Sequence, residues 1–325
     1  MQFSLPNFRF NRRSILENSV QKALSATTNP AMLSQGDIYA IISGFFWSFS
    51  VILMRISGYT IPPIPLTFFK SFIAILGFGA VLFFVGDPLL PDYDSSVWTR
   101  LVISAVLGIS IADTMFAAAL NRLGASLQAL ADCIYAPAMT VVGFLMFGEA
   151  LTAIELLGGA LVVSGVFVGL VRTKEIENSR DLLIGTALAA GAHITMAFGI
   201  LMVRDVIQEG SLVWIAGFRF AVATAALGVF AIMKGHGKSL TLGFKRRDLW
   251  KHTIPMALLG PFLATLFWIA GFKHETVGRA AIYNQLSTVF IILLAWLILK
   301  ERMTPRKLIG VTLAITGAIV VGLGG

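Results

Sequence analysis

Ten apolar runs, near 38–54, 65–85, 101–120, 125–147, 152–171, 182–203, 213–233, 252–272, 277–299 and 306–323, fill almost all of the chain after its first 35 residues. About 20 apolar residues in a helix cross a hydrocarbon core of ~30 Å. Inside lipid every backbone amide and carbonyl must find a partner within the protein, which leaves helices as the spanning form for such runs. The connections are short except 86–100, 172–181 and 234–251. Only 13% of the residues are charged and 57% are apolar, where an average soluble domain has about 25% charged. The chain reads as an all-α polytopic membrane protein with ten transmembrane helices, and a lipid bilayer is its first partner. Its net charge of +8 lies in short loops and the leading tail, where it bears on orientation. No soluble basic face exists to carry nucleic acid, so no nucleic-acid partner is expected. The single cysteine, Cys133, allows no intrachain disulfide.

Residues 1–35 form a polar N-terminal tail with Arg9, Arg12, Arg13 and Lys22, and without the apolar core of a secretory signal. Asn29-Pro30 and several Ser and Thr favour a disordered tail. Its weak periodicity through Phe8, Ile15, Leu16, Val20 and Leu24 leaves a surface-lying amphipathic helix as the alternative.

Beyond the tail the chain repeats itself. A shift of 149 residues matches Gly36 with Gly185, Arg55 with Arg204, Phe69 with Phe218, Lys70 with Arg219 and Gly79 with Gly228. A shift of 152 matches Leu107-Gly108 with Leu259-Gly260 and Ala118 with Ala270. The same shift carries Glu149, Thr152, Leu156, Gly158, Leu161, Gly165 and Val168 onto Glu301, Thr304, Leu308, Gly310, Leu313, Gly317 and Val320. Gly124 and Gly278 need 154, a local slip of two. Helices one to five, 36–171, thus recur as helices six to ten, 182–323. A unit with an odd number of crossings enters the bilayer from opposite sides in its two copies, so the expected architecture is two inverted five-helix repeats. That is the architecture of carriers that alternate access about a central site. Orientation is ambiguous: basic residues gather in odd-numbered loops (Lys234, Lys238, Lys245, Arg246, Arg247, Lys251; Lys300, Arg302, Arg306, Lys307), whereas the Arg-bearing tail argues the other way. Small residues such as Gly44 with Ser48, and Gly191 with Thr195 and Gly199, share helix faces and read as packing surfaces.

Several short motifs recur in order. They are Trp47-Ser48, the basic residue after Phe (Phe69-Lys70 and Phe218-Arg219), the turn Gly124-Ala125-Ser126 followed by Pro137, and Gly148-Glu149-Ala150-Leu151-Thr152 with its second copy Lys300-Glu301-Arg302-Met303-Thr304. With these the chain resembles the drug/metabolite transporter superfamily in its ten-helix form with two EamA-type repeats, over Gly36 to Gly322. Lys70 stands where that family often has Arg, and a proline frequent in helix nine is missing near Thr288-Val289. The resemblance implies a secondary carrier, usually an exporter of amino acids, metabolites or toxic compounds, with no nucleotide or prosthetic group. It also points to a bacterial inner membrane, but fixes no substrate.

Candidate site residues follow from the cost of polar groups in lipid. An ionised Asp at mid-bilayer costs about 2.5–3.5 kcal/mol on insertion scales, and the two helices over Leu101–Glu149 each carry one, Asp113 and Asp132. Gln128, Asp132 and Tyr135 share a face of helix four at helical spacing. Such carboxylates can bind a cationic group or take up a proton, since loss of water favours the neutral form; a purely structural Asp bonded to backbone freed by Pro137 or to a neighbouring Ser is the alternative. Tyr283, Asn284 and Gln285 sit together in helix nine and cannot all face lipid without cost, so they line a site or bond helix to helix. Trp268 and Trp47 are candidate cavity walls, or plain packing. His193 in helix six is a candidate proton relay or a packing histidine. Lys70 and Arg219, within two turns of their helix starts, read as extending to the interface, and Glu149 and Glu301 as fixing loop geometry.

The protease signature Gly-x-Gly-Asp is absent before Asp113, and no His-Glu-x-x-His, Gly-x-Ser-x-Gly or phosphate loop occurs. Four histidines and one cysteine are too dispersed for a zinc site, so neither metal nor cofactor is expected. The reading is a secondary active transporter of a small organic solute, an exporter coupled to protons, with its site lined by helices three, four, eight and nine. An uncoupled facilitator or exchanger is the alternative within transport, and an intramembrane hydrolase the alternative outside it.

Overall fold

The chain's described residues, 33–86, 90–148, 151–170 and 179–323 of a computed structural model, hold helices and connections, with no strand among them. The expected tail as far as residue 32, the Glu149 helix end and the 171–178 connection lie outside them. The long helices are α1 Gln35–Gly58, α2 Pro63–Val85, α3 Ser95–Leu123, α4 Ala125–Phe147, α5 Ala153–Leu170, α6 Ser179–Leu201, α7 Leu212–Met233, α8 Arg247–His274, α9 Val277–Ile298 and α10 Pro305–Leu323. Eight of them, α1 to α4 and α6 to α9, are long and apolar enough to cross a membrane. The apolar stretches in α5 and α10 are shorter, 153–165 and 308–317.

Local chemistry sets the helix ends. Ser34 accepts from the Asp37 amide at 3.1 Å while the Asp37 carboxylate accepts from the Ser34 amide at 2.9 Å, a reciprocal cap that starts α1. Thr152 and Glu155 do the same for α5. Pro63 occupies the first turn of α2, where its missing amide costs nothing. Between α3 and α4 the chain turns on Gly124 alone, at φ 77°, a backbone angle that any side chain would strain. Helix α3 begins at Ser95, before its apolar run, and its Trp98 packs in an aromatic cluster with Tyr93, Trp214 and Phe218, with ring centroids 5.1–6.0 Å apart.

The packing exchanges partners between the two sets of five helices. Helix α1 packs against α8 and α9, and α6 packs in the same way against α3 and α4, while α2 pairs with α7 and α5 with α10. The small residues lie at these seams. A Cβ on Gly199 would come within 2.7 Å of the Gly108 backbone, and one on Gly44 within 3.2 Å of Asn284 and Ser287.

Two helices of each set are irregular at matching places. Helix α3 takes a π-helical course over Val106–Ile111 and α8 over Leu258–Ala264, positions related by the 152-residue shift. Helix α4 tightens to a 3₁₀ turn at Asp132–Ile134, and α9 is interrupted at Gln285. Wide turns of the first kind are rare and recur at functional sites.

Candidate functional site

These four irregular segments surround a central cavity of about 100 Å³, against the ~10–15 Å³ needed to hold one water. Every helix but α5 and α10 contributes to its wall: Ser43 and Trp47 from α1, Lys70 from α2, Asp113 and Phe116 from α3, Asp132 and Tyr135 from α4. His193 and Met196 come from α6, Arg219 and Phe220 from α7, Thr265 and Trp268 from α8, and Asn284, Gln285 and Ser287 from α9.

The wall is built from paired charges. Lys70, 1% exposed, donates its Nζ to Asp113 Oδ2 across the α2–α3 seam. The Arg219 guanidinium, 2% exposed, lies within electrostatic reach of the same carboxylate. The interface-reaching course expected of both cations is therefore not what the fold gives. Their helices pack against each other and turn both heads inward, where Asp113 offsets the cost of burial. Asp132 Oδ1 accepts from Gln128 Nε2 at 2.6 Å and meets His193 Nε2 at 2.8 Å. Edges and faces of Phe116 and Tyr135 pack on the imidazole, with centroids 6.2 and 5.7 Å away. His193 Nδ1 is buried and has no hydrogen-bond partner, nor has Gln128 Oε1 or Arg219 Nε.

The remaining wall is aromatic and neutral. Trp268 Nε1 donates to the Tyr135 hydroxyl at 2.6 Å, joining α8 to α4. Trp47 and Phe116 stand 5.4 Å apart, centroid to centroid, with Lys70 Nζ 6.0 Å from the Trp47 ring. Asn284 Nδ2 donates to Ser43 Oγ at 3.2 Å, and Ser43 in turn to the Ala264 carbonyl at 2.9 Å. Gln285 Nε2 donates to Thr288 Oγ1 at 2.7 Å and to Cys133 Sγ at 3.1 Å.

Of the residues expected at the site, Asp113, Asp132, Tyr135, His193, Trp268, Asn284 and Gln285 line the cavity. Gln128 stands behind Asp132 and holds its carboxylate. Tyr283 is absent from the lining; it packs under Arg279, whose guanidinium lies 5.9 Å from the ring centroid. Lys70 and Arg219 join the site with a signal the sequence does hold, a basic residue at matching positions of both repeats. Ser43, Met196 and Ser287 join it with none. Glu301 plays the geometric part expected of it: it accepts from the Ala125 and Ser126 amides at 3.2 and 3.1 Å and from the Ser126 hydroxyl, capping α4.

Comparisons with known proteins agree with this architecture. A family model described as the EamA-like transporter family matches residues 34–171 and 183–323. Two proteins of Archaeoglobus fulgidus, each described as an uncharacterized transporter, are 29% and 31% identical over 107 residues. Those alignments cover 33% of this chain and 36% and 35% of the relatives, so the chain matches about a third of their length. A Salmonella paratyphi B protein described as a probable 4-amino-4-deoxy-L-arabinose-phosphoundecaprenol flippase subunit, ArnE, is 34% identical over 87 residues, 26% of this chain and 76% of its own. A solved crystal structure, 18% identical, superposes with a TM-score of 0.70 over 89% of this chain and 98% of that one, and shares the fold.

Proposed function

The chain belongs to the EamA-like transporter family, and from that premise we propose that it is a secondary carrier that moves a small organic solute through the central cavity by alternating access. It is an integral multi-pass membrane protein, and the resemblance noted in its sequence points to a bacterial inner membrane and to export. The units are 36–171 and 182–323, each crossing the bilayer five times in opposite senses, with α5 and α10 as the shortest crossings. The two units rock about the cavity, which both of them line.

The observation that carries this reading is the cavity itself. Two carboxylates, Asp113 and Asp132, sit where eight helices meet, and each is held by a basic side chain from another helix. A purely structural ion pair needs no cavity beside it. His193 supports coupling to protons. Its Nε2 meets Asp132 Oδ1 at 2.8 Å and its Nδ1 is buried without a partner, an imidazole–carboxylate pair of the kind that relays protons. A change of charge at this pair alters the balance that packs α6 against α4.

The test is uptake of a pooled mixture of metabolites and amino acids into proteoliposomes with an imposed pH gradient, read by mass spectrometry, for wild type beside Asp132→Asn and His193→Gln. Gradient-driven accumulation that both variants lose supports the coupled carrier. Accumulation that ignores the gradient in wild type replaces coupling by facilitated exchange, and an absence of flux for every solute sinks the carrier reading.

A further inference from the structure

At the Asp113 end of the cavity two buried cations face a single carboxylate. Lys70 donates to Asp113, and Arg219 acts on the same carboxylate, so two buried cations share one anion. Asp132 is committed elsewhere, to Gln128 and His193. Arg219 lines the cavity at 2% exposure, and its Nε is a buried donor without a partner. A buried guanidinium left short of acceptors is costly, and the cost falls when a ligand supplies them.

The fold makes room for that guanidinium. Gly108 lies in the π-helical turn of α3, and a Cβ there would come within 2.8 Å of Arg219 Nη2. Beside it the cavity wall is aromatic, with Trp47, Phe116 and Trp268. At this end two cations face one carboxylate, so a single carboxylate brought by the solute gives each cation a partner, while the second carboxylate of the lining, Asp132, weighs against a doubly charged phosphate.

We infer that the solute carries a carboxylate, which the planar fork of Arg219 takes as a two-point pair, and an apolar body that lies against Trp47, Phe116 and Trp268. The inference rests on the carrier reading above and gives that reading a substrate class. Arginine suits this task because its fixed donors match both oxygens of a carboxylate, whereas lysine offers a point charge.

Three probes with one body and different heads test it: 3-phenylpropanoate, 3-phenylpropanamide and 3-phenylpropylamine, titrated into the full chain in nanodiscs and followed by tryptophan fluorescence. The acid is expected to bind roughly tenfold tighter than the amide, the margin of a charge-assisted hydrogen bond. Arg219→Gln should collapse that preference to about twofold or less, and Arg219→Lys should retain part of it. Equal binding of acid and amide by wild type, no binding of the acid, or strongest binding of the amine overturns the inference without recourse to any variant. Flux of the same probes into liposomes separates the two claims. Acid that binds through Arg219 yet never crosses leaves the anchor standing and removes the carrier; amine or amide that crosses while the acid does not bind removes the anchor and leaves the carrier.

Discussion

Asp113 faces two cations and Asp132 faces an imidazole, and that difference decides what each substitution costs. Removing one partner of a buried ion pair leaves an uncompensated charge and typically costs about 3–5 kcal/mol. Asp113→Asn strands both Lys70 and Arg219 and should reach that range. Lys70→Met leaves Asp113 beside Arg219, so its cost should be clearly smaller, and the double variant should be more stable than Asp113→Asn alone. Thermal unfolding of the purified variants in one detergent checks the order; a Lys70→Met variant weaker than Asp113→Asn would show that Arg219 gives Asp113 no support. The two Asp residues were legible in the sequence because a carboxylate in an apolar run demands a partner. Their partners were not. Lys70 is 43 residues from Asp113 and His193 is 61 from Asp132, and helical spacing does not report which faces of two distant helices meet. Tyr283 shows the same limit within one helix, since neighbouring positions point in different directions and only Asn284 and Gln285 turn to the cavity.

At the level of elements, the joints between helices were easier to read than the breaks inside them. The turn at Gly124 and the recurring Glu before Thr stood out as motifs, and in the second repeat that Glu, Glu301, reaches across to cap α4. The first amides of a helix have no partner within it. Glu301→Ala should therefore free Ala125 and Ser126 and destabilise the protein by about 1–2 kcal/mol, the usual worth of an N-cap. Hydrogen exchange at those two amides should rise several-fold while exchange in α2 stays unchanged. Unaltered exchange would mean that water caps α4 equally well. The π-helical turns of α3 and α8 leave no mark in the sequence, because an extra residue per turn leaves an all-apolar pattern unchanged. What the sequence held instead was Leu107-Gly108 repeated as Leu259-Gly260, and the fold places the same irregularity at both.

For the whole molecule, the sequence repeat pairs α1 with α6, α3 with α8 and α4 with α9, and their surroundings are alike, α1 lying against α8 and α9 as α6 lies against α3 and α4. The ends of the bundle are not alike, however. Where α1 begins, Asp37 is fully buried and takes both Arg279 Nε and Nη2, at 3.0 and 2.9 Å, while Glu275 stands 3.8 Å from Arg279 and accepts from Ser34. The repeat places Thr186 opposite Asp37 and Ala125 opposite Arg279, so the buried pair is not repeated at those positions, and the start of α6 is tied to the end of α3 by the more exposed Arg122–Asp181 contact at 3.8 Å. If the carrier opens its two ends in turn, α1 and α9 must part at Asp37 and Arg279 once in each cycle. In a Cys133→Ser background, Asp37→Cys together with Arg279→Cys and a short bis-maleimide should tie the two helices. Flux should then fall at least about tenfold, because a state needed in every turnover is removed, while cavity ligands continue to bind the tied state. Either single cysteine treated with the same reagent should keep most of its flux. Undiminished flux in the tied protein would mean that solute passes without this end opening, and the rocking motion would have to be abandoned for a route between other helices.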